Sequence, residues 1–319
     1  MAALYVLATV WLWSLIPLAV KVADKSFNAG FIGFTRLFTG MCFFAAWEVA
    51  SGRSLRLPPP DKSVRLPGPR GMTLAAWIVI AGLGIGGDLV LYALGLHYTT
   101  ASAATLIVST DGVILALLGV LVLRERMSWM KAVAAVAALI GLFLVGWSGQ
   151  SLAHLLGSAN FLGNVIVFAG GCCWATYGLG QRVLARSPGG NLFWIFLVGT
   201  ALALLVTFFR PVAHGPVTWK AVGALFYLGL GGTGLAYVLL AKGMARLEAA
   251  TVGVLNSLLP VFTMVQAHFI LHEQITGYLI GGAVCVITGV TLIMRHQKRY
   301  GELGTGPGAG GKQPTAGPR

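Results

Sequence analysis

Three charged side chains stand inside runs that are otherwise apolar: Arg36 in FTRLFTG, Asp88 in GIGGDLVLY and Asp111 in LIVSTDGVIL. Groups of this kind can neutralise one another, take up a proton, or bind a charged solute. An uncompensated charge at the centre of a bilayer costs roughly 2.5–3.5 kcal/mol on insertion scales, so each needs a partner or a wet cavity. Counting residues at ~1.5 Å of rise each, Arg36 lies about seven residues from the outer end of its run and Asp88 about eight from the outer end of its own. Matched depth on neighbouring helices predicts that these two are electrostatically coupled, and a salt bridge is the plain structural reading. Asp111 stands about eleven residues into its run, nearer the midplane, with no second cation at its depth. It must share Arg36, hold a proton or face a cavity. A carboxylate without a cation in low dielectric favours its protonated form, which suits a proton-coupling site or a cation-binding group.

Around these charges the apolar runs carry further polar and aromatic side chains. Trp13, Tyr92, Trp174, Tyr177, Asn256 and His268 could line a cavity, although packing or interface anchoring is the plainer role of any single aromatic. Pro17 and Pro260 predict kinks that would open such a space. Gly84, Asp88, Tyr92 and Gly95 fall at i, i+4, i+8 and i+11 on one helix face, where small residues permit close helix approach. Gly232 and Gly243 are read the same way. Glu125 and Glu273 stand at helix ends, where contacts with helix termini are expected. GLGIGG (82–87) and GLGGTG (229–234) match the spacing of a dinucleotide fingerprint, but both lie inside apolar helices without the strand and βαβ unit that fingerprint requires. They are close-packing glycines. Cys42, Cys172, Cys173 and Cys285 all lie in apolar runs, with no metal-ligand spacing to histidine and no disulfide framework. No nucleophile–base pair stands out, so neither an enzyme nor a cofactor is expected.

The elements that must position these residues follow from composition. Of 319 residues, 57% are hydrophobic and 10% charged, where a soluble chain carries about 25% charged residues. The chain reads as an all-α integral membrane protein. The net charge of +13 is not a nucleic-acid footprint, because the basic residues lie in short segments between apolar runs. Runs of about 20 residues are needed to cross the bilayer as helix, and ten are predicted, at 2–22, 29–50, 73–96, 100–123, 129–147, 161–184, 192–209, 218–241, 249–271 and 276–294. The first lacks a basic leader and reads as a retained helix rather than a signal peptide. With cytoplasmic termini, 17 of the 22 Lys and Arg fall inside, four fall outside, and Arg36 lies within a span. This bias predicts that both termini are cytoplasmic. Residues 295–319, rich in Gly and Pro, are predicted to be a disordered cytoplasmic tail.

The chain also repeats. An offset of 148 places Gly84, Gly95, Ser109, Glu125 and Gly141 on Gly232, Gly243, Ser257, Glu273 and Gly289, with fifteen identities in the 67 positions from 80 to 146. The opening helices align at 161, Trp13 on Trp174 and Lys21 on Arg182, and the longer basic loop between 50 and 71 accounts for the change. Two repeats of five spans, 1–147 and 161–294, would enter the membrane with opposite orientation. That is the plan of many secondary transporters, whose substrates bind near midplane between the halves. Channels can share it.

Each half resembles an EamA repeat of the drug/metabolite transporter superfamily. The residues that carry the resemblance are VWLWSLIP, FTRLFTG, the Glu closing each fourth helix (Glu125, Glu273) and the Gly-bearing fifth helix after it. The resemblance implies ten helices and export or exchange of a small metabolite across the inner (plasma) membrane. One departure is notable: where the second repeat has Pro260, the first has Gly112, preceded by Asp111. The expected activity is secondary transport of an amino acid or amine by alternating access, with or without proton coupling, and a facilitative pore or a nucleotide-sugar antiporter are the alternatives. The partners implied are a small-molecule substrate, the lipid bilayer and protons, with no nucleic acid.

Overall fold

The structure, a computed structural model, describes residues 2–52, 55, 73–123, 129, 132–133, 136–137, 140–141, 144, 158–184, 191–209, 211–244, 252, 255–256, 258–288 and 291. Glu125, Ser257, Gly289, most of the expected fifth span and the C-terminal tail lie outside them. Among the described residues the chain is helical throughout, with one isolated antiparallel bridge between Phe27 and Ala213 and no strand. The helices are α1 (Ala2–Ser14), α2 (Ile16–Asp24), α3 (Ala29–Ala50), α4 (Leu74–Tyr98), α5 (Ala101–Val108), α6 (Asp111–Leu123), α7 (Ala159–Leu184), α8 (Asn191–Thr207) and α9 (Trp219–Phe226). A π-helical stretch, Tyr227–Leu235, leads into α10 (Ala236–Met244), followed by α11 (Leu259–Leu271) and α12 (Gly277–Thr288). Among the described residues, six spans are long and apolar enough to cross a membrane: α1–α2, α3, α4, α5–α6, α7 and the stretch Trp219–Leu240. The apolar helices α8, α11 and α12 are shorter.

In an apolar solvent every free backbone N–H is costly, and several helix starts are capped by side chains. Asn28 Oδ1 accepts from Phe31 N at 2.8 Å, and Thr73, Thr100 and Thr218 cap α4, α5 and α9 through their hydroxyls. Glu273 adds a cap from far along the chain. Its carboxylate accepts from the backbone N–H of Ala101 (2.7 Å) and Ser102 (3.1 Å) and from Ser102 Oγ (2.8 Å), closing the start of α5. This is the helix-terminus role expected of it.

Among the described residues, three helical runs are interrupted midway. Leu15 separates α1 from α2, with Pro17 in the first turn of α2, where its missing N–H does no harm. Ser109 and Thr110 separate α5 from α6. Leu258 precedes α11, with Pro260 in its first turn.

Without a hydrophobic drive between helices in lipid, close packing of small residues holds them together. Helix α4 lies antiparallel along α7, the most extensive helix–helix contact among the described residues. A methyl group on Gly84 would come within 2.7 Å of Cys173 O, and one on Gly95 within 2.9 Å of Gly163 O, so only glycine admits the neighbouring backbone. Their repeat equivalents act on the other half: Gly232 faces Ile16 and Gly243 faces Val6. Trp77, Ile85 and Leu89 of α4 pack with Tyr177 and Val183 of α7 and Phe196 of α8. Trp11, Leu83, Phe208 and Phe269 point outward, as lipid-facing positions should.

Candidate functional site

The three interruptions converge. Ile16 and Pro17, Asp111 and Gly112, and Leu259 and Pro260 all line one cavity of about 450 Å³. Its wall also holds Arg36, Asp88, Tyr92, Trp13, Trp174 and Asn256. Both prolines and six further polar and aromatic candidates named from the sequence therefore meet Asp111 in one place.

Asp111 opens α6, the first residue after the Ser109–Thr110 break. The break is held locally: Ser109 Oγ donates to Thr105 O (2.8 Å), Thr110 Oγ1 donates to Ile107 O (2.7 Å), and Val113 N restarts the ladder on Thr110 O (2.8 Å). A helix start favours negative charge through its exposed N–H groups. Asp111 is 5% exposed, and its Oδ1 has no hydrogen-bond partner among the described residues. That oxygen lies against Gly171 of α7, where any side-chain carbon would overlap it. Asp88, midway along α4, approaches the preceding glycine, since a methyl group on Gly170 would touch Asp88 Oδ1 at 3.4 Å. The two carboxylates thus converge on one Gly–Gly step of α7 and act on each other electrostatically.

Arg36 reaches the cavity from α3, and its charge is felt by Asp88. Among the described residues, no ion pair within 4.0 Å joins them. Arg36 Nε instead donates to Thr233 Oγ1 (3.2 Å), and Thr233 Oγ1 donates to Leu228 O five residues back (3.0 Å). The π-helical stretch supplies both this site and the Gly232 carbonyl that receives Trp13 Nε1 at 3.1 Å. Widened helical turns of this type recur at functional sites because they free backbone groups.

Two of the named candidates lie elsewhere. Tyr177 sits in the core behind the wall, where Gln181 Nε2 donates to its hydroxyl (3.2 Å). His268 is exposed near the end of α11, its Nδ1 2.9 Å from the Glu273 carbonyl oxygen. Conversely, Thr105, Ser109 and Tyr237 line the cavity without having been singled out as site residues. Tyr237 packs edge-on against Trp13 at 5.8 Å, and Thr105 Oγ1 donates to Ala101 O one turn back (2.9 Å). Ser109 was legible only as a position shared between the repeats.

The lining also follows the repeat. Trp13 and Trp174 are related by the offset of 161, and Tyr92 and Leu240, Val108 and Asn256, Asp111 and Leu259, and Gly112 and Pro260 by 148. Five pairs of equivalent positions therefore face one space. Polarity is unequal within the pairs, because Asp111 stands opposite Leu259 and Asn256 opposite Val108.

Comparison with known proteins matches this description. The model of the EamA-like transporter family matches residues 1–147 and 161–295. An uncharacterized transporter of Archaeoglobus fulgidus is 26% identical over 298 residues, covering 91% of this chain and 96% of that protein. The uncharacterized transporter YyaM of Bacillus subtilis is 28% identical over 219 residues, covering 67% and 71%. The uncharacterized inner membrane transporter YhbE of Escherichia coli is 26% identical over 263 residues, covering 82% and 78%. A protein solved by crystallography shares the fold, with a TM-score of 0.61 at 20% identity over 94% of this chain and 99% of its own.

Proposed function

This chain belongs to the EamA-like transporter family, and from that membership we propose that it is a secondary transporter moving a small metabolite, an amino acid or amine, through the cavity around Asp111. The protein is a membrane transporter. Ten helices form two five-helix repeats of opposite orientation, 1–147 and 161–294, with both termini in the cytoplasm and the tail 295–319 beyond them. The two halves rock about the cavity, opening it to one side and then the other. Asp111 receives the coupling proton or a cationic group of the substrate.

The observation that carries this reading is the lining by five repeat-related pairs, two of which, Asp111 with Leu259 and Gly112 with Pro260, stand where helices break. Discontinuous helices meeting between repeats are how transporters present backbone and side-chain groups to a solute at midplane. The Escherichia coli relative, named an inner membrane transporter, supports the inner membrane as the location.

A metabolite screen in proteoliposomes, run with and without a pH gradient, tests the proposal. A transported compound should show saturation and counterflow. Flux that rises linearly with concentration and shows no counterflow would mean a pore.

A further inference from the structure

We propose that the cavity selects a small primary amine with an apolar or aromatic body and no carboxylate, its ammonium group held between Asp111, Asp88 and Asn256. This deepens the transporter reading and rests on it for what the cavity is for. The charges come first. The wall carries two carboxylates and one guanidinium, so it holds one uncompensated negative charge when all three are ionised. Arg36 gives one of its N–H donors, Nε, to Thr233, and its charge acts on Asp88, which lines the same cavity. A carboxylate on the solute would add a third anion beside two that already act on each other.

Hydrogen bonding points the same way. Two buried acceptor oxygens at this cavity, Asp111 Oδ1 and Asn256 Oδ1, lack partners among the described residues. A buried acceptor left unpaired is costly, so the site calls for a donor. A primary ammonium brings three N–H donors and a positive charge together, whereas a quaternary ammonium brings charge alone. The Gly170–Gly171 step leaves both carboxylates room to turn toward it, since no side chain stands between them and α7. Trp174, three residues beyond Gly171 on α7, and Trp13 opposite it offer aromatic faces that attract a cation within about 6 Å. The rest of the wall is apolar, with Ile16, Val108, Leu240, Leu259 and Ile287, and suits a hydrocarbon or ring.

The experiment is equilibrium binding of radiolabelled phenethylamine to the purified full-length protein in detergent. Competition with phenylalanine, phenylacetate and trimethyl(phenethyl)ammonium needs no variant, and so no assumption about folding. Phenethylamine should bind saturably and phenylalanine at least tenfold more weakly. Phenylacetate should fail to displace it, and the quaternary compound should lose at least tenfold for want of N–H donors. Asp111→Asn, checked for a monodisperse elution profile, should weaken phenethylamine at least tenfold. Phenylalanine binding as tightly or more tightly would assign Arg36 to a solute carboxylate and overturn the proposal. So would displacement by phenylacetate, equal binding of the quaternary compound, or no phenethylamine binding at all. The two readings fail separately: saturable transport of another solute that depends on Asp111 would leave the transporter reading standing without the amine. Binding of the amine without counterflow would do the reverse.

Discussion

Gly171→Ala separates a positional role of the Asp111 carboxylate from ordinary helix packing. The added methyl group would overlap Asp111 Oδ1, while the next atoms, Asp111 Cγ at 3.5 Å and Ile114 Cδ1 at 3.9 Å, are at normal contact distance. No backbone atom obstructs it, so the carboxylate turns rather than the helices parting. Turning a side chain off its preferred rotamer costs about 0.5–1.5 kcal/mol, and alanine in a helix regains about 1 kcal/mol over glycine. The two nearly cancel, so thermal unfolding in detergent should move little. Function should move more. A displaced carboxylate forfeits a charged hydrogen bond to its solute worth about 1.5–3 kcal/mol, which is about tenfold to about a hundredfold in apparent affinity. The assay is counterflow with the transported compound, run for Gly171→Ala, Asp111→Ala and the double variant. With the carboxylate gone, adding Gly171→Ala should weaken affinity no further and should raise stability by about 1 kcal/mol. An equal loss of affinity from Gly171→Ala in both backgrounds would refute the reasoning, since the methyl group would then be acting through helix packing alone.

Other consequences can be measured directly. Asp111→Asn should insert and fold, then lose most of its transport rate or the dependence of that rate on pH; normal transport from about pH 5 to about pH 8 would make Asp111 a tolerated structural carboxyl group, because a functional one titrates or pairs. Reporter tags at either terminus should read as cytoplasmic, given the sorting of 17 of 22 basic residues, and a periplasmic signal from either end would overturn the ten-span count. Glu273→Gln removes the charge from a carboxylate that caps α5 through three contacts, and should cost about 1–3 kcal/mol of thermal stability. An unchanged unfolding temperature would mean that water caps Ala101 and Ser102 equally well.

How much of this was legible beforehand depends on what kind of signal each residue carries. Arg36, Asp88 and Asp111 announced themselves because a charge in an apolar run is costly, and all three line the cavity. Trp13, Trp174, Pro17 and Pro260 were legible through the repeat and through proline's missing N–H. Position along a helix was the weaker guide. Tyr177 follows Trp174 by three residues, which turns it about 60° around α7 and into the core with Val183 and Phe196. His268 follows Pro260 by eight residues, about 12 Å along α11 at helical rise, which carries it past the cavity to the helix end. The π-helical stretch leaves no mark in apolar periodicity, so Thr233 as the support for Arg36 could not be read. Gly170 and Gly171 are two of 44 glycines, and what distinguishes them is the approach of two carboxylates from other helices. That difference reflects how the site is built. Sequence displays the groups whose cost must be compensated, whereas the compensation comes from elements distant along the chain. Around this cavity, among the described residues, the oxygens of Asp111 and Asn256 are left without a partner from the chain, and the transport reading proposed above assigns their partner to the solute.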